Sequence, residues 1–222
     1  MANRGGNRHL KRIAAGYKEK KEYKYVLKPD PGPHSLEESL PLAGALRDYL
    51  NVASNLKEVK YILRNNLVKV DERIVKNVKF PIGLMDIISI HNVGKYIVLY
   101  DDKGNFVFKN FDTSNKLLKV INKLKVKGGK IQYTFHDGRT YLGDNSIKVG
   151  DSVIFDLINK KLVKVIPQSL NSKVLIIKGK HKGKTGILKN VEVLKNDKIA
   201  VVDTGEPIKT SYKYLLFVGD YI

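Results

Sequence analysis

Apolar residues recur at two different spacings along this chain, and the change of spacing divides it. Between residues 40 and 65 the step is three or four: Leu42, Leu46, Tyr49 and Leu50 form one stripe, and Leu56, Val59, Ile62 and Leu63 a second. Such steps return to the same side of a helix, so two short helices are predicted. Ser39 and Pro41 suit the start of the first. Asn55 followed by Glu58 gives the second a capping box in which Asn replaces the usual Ser or Thr. Leu67-Val68-Lys69-Val70-Asp71 then reads as an extended run.

From residue 95 to 170 short strands alternate with turns. Tyr96–Tyr100 leads through Asp101-Asp102-Lys103-Gly104 to Phe106–Phe108, a hairpin. A second hairpin turns at Asp137-Gly138, a dipeptide suited to tight turns, between Ile131–Phe135 and Thr140–Leu142. Ser152–Asp156 and Leu162–Ile166 follow, and the set predicts a small β-barrel or sandwich. Residues 113–125 are apolar and Lys-rich, and their pattern leaves both helix and strand open. Beyond residue 171, Val174–Ile177 is a buried-type strand, a basic loop follows, and Ile187-Leu188 resumes the strand pattern. Phe217 and Tyr221-Ile222 are expected to complete this part. Residues 1–39 have too little apolar content for a core and are expected to be disordered in isolation. Pro29, Pro31 and Pro33 within them predict a stiff extended connector.

Charge changes the picture. Among 222 residues, 41 Lys and Arg oppose 22 Asp and Glu, a formal net charge of +19. That excess argues for a polyanionic partner, nucleic acid ahead of anionic membrane. Lys57, Lys60 and Arg64 fall opposite the second apolar stripe, a cationic face whose bland alternative is solvated surface. Lys178, Lys180, Lys182 and Lys184 share one loop with no acid among them, which favours a polyanion over a merely solvated tip. In the arm, Arg4, Arg8, Lys11 and Arg12 can displace condensed counterions at RNA phosphates. Tyr17, Tyr23 and Tyr25 can stack on bases or pack on the body.

Other chemistry finds little support. Cys is absent, which removes disulfides and thiolate zinc sites and fits a reducing compartment. No apolar run approaches about 18 residues, so no spanning helix is expected. The N-terminus lacks the apolar segment of a secretory signal. His136 and Asp137 are neighbours in a strand and so point apart, and the turn needs Asp137. Histidines 9, 34, 91 and 181 show no metal-ligand spacing. Gly183-Lys184-Thr185 ends like a nucleotide-binding P-loop, yet Lys178 stands where that loop needs Gly, and a strand follows instead of a helix. No catalytic residue, metal or cofactor is expected.

Four separated phrases, LPLAGALRDYL, KEVKYIL, VKVD and FPIGLMDIISI, resemble in their order the S-four RNA-binding module. The likeness implies that Arg47, Lys57, Lys60, Arg64 and Lys69 face RNA, so replacing Arg47 should weaken RNA binding and spare the melting temperature. The module commonly has Gly after the hairpin Asp. Glu72 stands there instead, which implies a longer or differently shaped turn. His9-Leu10-Lys11-Arg12-Ile13-Ala14-Ala15 and Pro31-Gly32-Pro33-His34, just ahead of LPL, resemble the opening of the S-four-e family, small-subunit ribosomal proteins of archaea and eukaryotes. That places Arg4, Arg8, His9, Lys11 and Arg12 among the RNA contacts. Gly16 replaces the family's Pro and its nearby Trp is missing, which leaves the path of residues 16–25 open. The VGD and DGRTY phrases are similar to the family's central domain. The strand, basic loop and strand around Gly183 resemble the KOW motif, with Gly186 expected to allow a sharp turn.

The expected fold is therefore α+β and multi-module. It comprises a basic arm (1–39), an S-four-type helix-pair/β RNA-binding module (40–94), a small barrel-like β domain (95–170) and an SH3-like KOW barrel (171–222). The resemblance implies a structural constituent of the small subunit of cytoplasmic ribosomes. It would bind ribosomal RNA beside neighbouring ribosomal proteins, with no enzymatic activity, small-molecule substrate, membrane or homo-oligomer. The alternatives are an RNA-modifying enzyme targeted by the helix pair, or a free translation or transcription factor.

Overall fold

A computed structural model describes residues 27–194 and 197–221. The expected contacts at Arg4, Arg8, His9, Lys11 and Arg12, the path of residues 16–25 and the closing Ile222 lie outside the described residues. The chain divides into two compact units, one of Met1–Leu99 with Asn105–Ser114, the other of Tyr100–Gly104 with Asn115–Ile222. Strand dominates both. Among the described residues the helical part of the expected α+β fold is limited to short segments, and no helix is long and apolar enough to cross a membrane.

In the first unit the Pro-rich stretch is docked. The Asp30 amide donates to the Lys79 carbonyl at 2.9 Å, and Asn77 Nδ2 donates to Asp30 at 3.0 Å. His34 Nε2 meets both oxygens of Asp86 at 3.0 and 2.9 Å, with its ring against Gly83, where any Cβ would overlap it. Strand β1 (Leu40–Pro41) pairs with β4 (Pro81–Ile82). That pairing corrects the expected start of the first helix. Extended pairing holds Leu40-Pro41 out of the helix, so α1 begins at Leu42 (Leu42–Gly44) with no side-chain cap, and the Ser39 hydroxyl is buried without a partner among the described residues. The helix widens over Ala45–Tyr49, where the Leu50 amide reaches back to the Ala45 carbonyl at 3.0 Å. Leu42 and Leu46 are buried, whereas Tyr49 and Leu50 are half-buried. Tyr49 packs on Phe108 with ring centroids 5.2 Å apart.

Helix α2 (Leu56–Arg64) forms as its cap predicts, with Asn55 accepting from the Glu58 amide at 3.0 Å. Glu58 reaches back one residue further than the standard box, to the Ser54 amide at 2.7 Å. Beyond it lie β2 (Val68–Val70), β3 (Arg73–Ile74), β5 (Ile87–Ile90), β6 (Gly94–Tyr100) and β7 (Phe106–Asn110), in the spatial order β3-β2-β5-β6-β7. Val68, Val70, Ile88 and Ile90 are buried, as are Val59 and Leu63 of α2.

The hairpin between β2 and β3 corrects a second expectation. Val70 pairs with Arg73, leaving a two-residue turn in which Asp71 and Glu72 have φ of 51° and 61°. Those values are the ones a tight primed turn requires, so Glu72 takes the shape usually left to Gly. Side-chain bonds compensate. Asp71 accepts from the Ile87 amide at 2.9 Å, and Glu72 accepts from Lys95 Nζ and Ser114 Oγ, each at 2.9 Å.

In the second unit, residues 115–125 form one strand, β8 (Asn115–Lys125), which resolves the open choice between helix and strand. It changes partner midway. Its first half pairs with β11 (Ser152–Asp156), and its second half, past a bulge at Val120/Asn122, pairs with β9 (Ile131–Phe135). With β10 (Thr140–Gly143) and β12 (Lys161–Ile166) the order is β10-β9-β8-β11-β12. A second antiparallel sheet has the order β16-β15-β14-β13-β17, from β13 (Lys173–Ile176), β14 (Thr185–Val193), β15 (Lys198–Asp203), β16 (Pro207–Ser211) and β17 (Leu215–Phe217). Val174, Ile176, Leu188, Ala200, Val202, Leu215 and Phe217 form its core.

Candidate nucleic-acid interface

Two basic surfaces emerge, one in each unit. On α2, burial of Val59 and Leu63 turns the opposite side to solvent, where Lys57, Lys60 and Arg64 are all exposed. None of the three is in an ion pair with a described residue. Tyr61 stands on the same face, four residues beyond Lys57 and three before Arg64, and is 69% exposed. Sequence reasoning missed it. Its helical spacing from Lys57 and Arg64 was the available signal, since an aromatic on the polar side of an amphipathic helix is surplus to the core. A ring among cations offers stacking for a base beside charge for its phosphate.

Lys69 lies exposed on β2, facing away from buried Val68 and Val70. It stands in one cross-strand row with Ser89 and Lys95. The row belongs to a groove of about 790 Å³ whose lining includes Asn66, Glu72, His91 and Asn92. The Ser89 hydroxyl is buried there without a partner among the described residues. The hydrogen bond from Lys95, opposed by partial burial and assisted by Ser114 and the Lys95 and Lys69 charges, holds the Glu72 carboxyl below its usual range.

Arg47 is placed differently from Lys57, Lys60, Arg64 and Lys69. Its guanidinium grips the carboxylate of Asp48 through Nε and through Nη2, the latter at 2.9 Å, and the Asp48 side chain is only 4% exposed. The expectation that replacing Arg47 would spare the melting temperature is revised accordingly.

In the second unit the 177–184 loop joins β13 to β14. Ile176 and Lys184 are joined by a backbone hydrogen bond of 3.0 Å, and the Gly183 amide donates to the Ile176 carbonyl at 2.8 Å. Lys178 and Lys180 are exposed, whereas Lys182 and Lys184 are half-buried. Lys182 Nζ lies 3.7 Å from the centroid of the Tyr100 ring, which eases the like-charge crowding of the loop by a cation–π contact. Gly183 has φ of 94°, and a Cβ there would come within 1.8 Å of the Asp101 carbonyl oxygen. Gly186 serves differently from the expected sharp turn. It lies within β14, and its missing Cβ lets the Asp203 carbonyl of the paired strand approach.

No group of acidic and imidazole side chains among the described residues is placed to hold a metal ion. His136 Nδ1 accepts from the Lys119 amide at 3.1 Å, and the Asp137 carboxylate faces Lys116 and Arg139.

Comparison with known proteins agrees with this basic, mostly β architecture. Residues 94–162 match the profile described as ribosomal family S4e, and residues 4–37 match the RS4NT (NUC023) domain. Small ribosomal subunit protein eS4 of Nanoarchaeum equitans is 46% identical over 177 residues, covering 78% of this chain and 75% of that protein. Small ribosomal subunit protein eS4 of Methanothermobacter thermautotrophicus is 38% identical over 231 residues, covering 100% of this chain and 93% of its own length. The crystal structure of the 30S ribosomal protein S4e from Thermoplasma acidophilum matches with a TM-score of 0.71 at 34% identity, covering 82% of this chain and 95% of that one. With identity of this order sustained along its whole length, the chain belongs to the ribosomal S4e family.

Proposed function

We propose that the chain is a structural constituent of the small ribosomal subunit, binding ribosomal RNA beside neighbouring ribosomal proteins and holding folded RNA segments together. The α2 face carries this reading: Lys57, Lys60 and Arg64 are exposed without a described counter-charge and surround an exposed tyrosine. The names of the relatives favour the structural role over an RNA-modifying enzyme or a free factor.

In finer detail, residues 40–94 act as an S-four-type RNA-binding module through α2 and Lys69. Residues 95–170 act as a central β domain, and residues 171–222 as a KOW-type barrel that presents Lys178 and Lys180 to phosphates. The basic arm adds Arg4, Arg8, His9, Lys11 and Arg12. Several weak phosphate contacts on one chain raise the effective concentration of each RNA segment for the next, so no single site need be strong. Recognition of this kind reads backbone and shape, with local stacking. The protein acts as one copy in cytoplasmic ribosomes.

Sedimentation of a cell lysate on density gradients at low and at moderate salt tests the proposal. Stoichiometric co-migration with the small subunit at both salts is the expected result. Migration as free protein, or loss on a slight rise in salt, overturns it.

A further inference from the structure

Lys119 is a buried cation of the second unit with no described carboxylate partner. It lies in β8 where that strand changes partner, and it is only 7% exposed. Its ammonium donates to the carbonyls of Lys213 and Leu215 at 2.6 and 2.7 Å, and no described residue takes the third N–H. The charge acting on it is Lys178, of the same sign. Burial first and Lys178 second lower its pKa to about 8. A desolvated ammonium beside another cation is stabilised by the arrival of an anion.

A cavity of about 300 Å³ opens beside it, with Tyr212, Leu215 and Phe217 as apolar wall and Lys198 and Lys213 among its lining. That volume is at the small end of ligand sites, suited to a group the size of a nucleobase. Gln168 also lines it and is fixed there. Its Nε2 donates to the Val149 carbonyl at 2.8 Å and to Asp151 Oδ1 at 3.1 Å, against Gly150, where a Cβ would overlap the amide. With both donors directed at the protein, its Oε1 accepts from no described residue.

We propose that this cavity receives a single unstacked nucleotide of RNA, with its base against Tyr212 and its phosphate on the side of Lys119 and Lys198. The site rests on the RNA-binding reading and adds a contact that the arm, α2 and the 177–184 loop do not supply. The Gln168 Oε1 can accept from an N–H of a base edge. The Tyr212 ring favours RNA over an acidic protein segment, since a base presents a face to stack on it.

The test uses the full chain with a short oligouridylate carrying 4-thiouridine. Crosslinks to the peptides holding Lys198 and Tyr212 are expected, together with a rise of about one unit in the Lys119 pKa on RNA addition, followed by NMR of its side-chain carbon. Tyr212→Leu should weaken oligouridylate binding about tenfold. Because Tyr212 also packs on Phe217, Lys198→Ala, at an exposed position, is the second variant and should weaken binding about threefold. Crosslinks only outside the cavity with Lys119 unmoved, while oligouridylate still binds, overturn this site and leave the RNA-binding reading intact. Absence of any RNA binding overturns both. A Lys119 shift produced by polyglutamate and not by oligouridylate overturns the nucleotide in favour of an acidic protein segment.

Discussion

Lys116 Nζ and Asp137 Oδ2 lie 3.0 Å apart with both side chains closed to solvent, at 0% and 1% exposure. Arg139 Nε adds a second cation at 3.1 Å, and Asp137 Oδ1 accepts from the Arg139 amide at 3.1 Å. Burial alone would raise the Asp137 carboxyl, but Lys116, His136 and Arg139 outweigh it and hold the group below the usual carboxylate range.

Asp137→Ala leaves Lys116 charged and buried, so it should cost about 3–5 kcal/mol in urea unfolding. Pairing it with Lys116→Met should recover most of that loss. The sign of the pH effect follows from the lowered pKa. The pair's contribution is present above the unfolded carboxyl value near ~3.9 and is lost as pH falls through the lower folded value. Stability of the parent should therefore fall more steeply in acid, below about pH 4, than that of the double variant.

Arg47→Ala should lower the melting temperature, because Asp48 would keep its burial and lose a two-point partner. The expected loss is about 1–3 kcal/mol by thermal or urea unfolding. Arg47→Lys should recover only part of it, since an ammonium cannot reproduce the planar fork.

Replacing Lys57, Lys60 and Arg64 together by Ala should leave unfolding within about 0.5 kcal/mol of the parent, because these are surface positions. The slope of log affinity for ribosomal RNA against log salt should shrink by about 2, at about 0.7 for each lost phosphate contact. An unchanged slope would place the RNA on another surface. Tyr61→Ala should weaken binding with the slope retained, which separates stacking from charge.

Gly183→Ala should destabilise the chain by about 2 kcal/mol or more. The residue needs φ of 94°, and the new Cβ would press on the Asp101 carbonyl, which is backbone and cannot swing away.

What the sequence disclosed was local, and what it withheld was distant. Asn55 and Glu58 sit three residues apart, and the turn at Asp137-Gly138 is set by the two residues that make it, so both were legible. Residues 113–125 were not, because Lys116 and Lys119 interrupt any apolar period. Both are buried, one against Asp137 of the next hairpin, the other against carbonyls 94 and 96 residues further along the chain. Nothing near them in sequence marks those partners. The tight turn at Glu72 was hidden in the same way, since Lys95 and Ser114 stabilise it from 23 and 42 residues away. Within the interface, the cations of α2 followed from helical spacing. The divergence of Arg47 did not, because a guanidinium held by its own neighbour reads in sequence like one aimed at RNA.

The Asp101 carbonyl beside Gly183 bears on how the chain can be cut into pieces. A fragment begun at Asn115 keeps all strands of the C-terminal sheet yet omits Tyr100–Gly104, which belong to the same compact unit. It would lack both the ring beneath Lys182 and the backbone packed on Gly183. RNA affinity measured on such a fragment would describe a loop released from its brace. The shortest C-terminal piece that preserves the basic loop in its native frame has to start ahead of Tyr100.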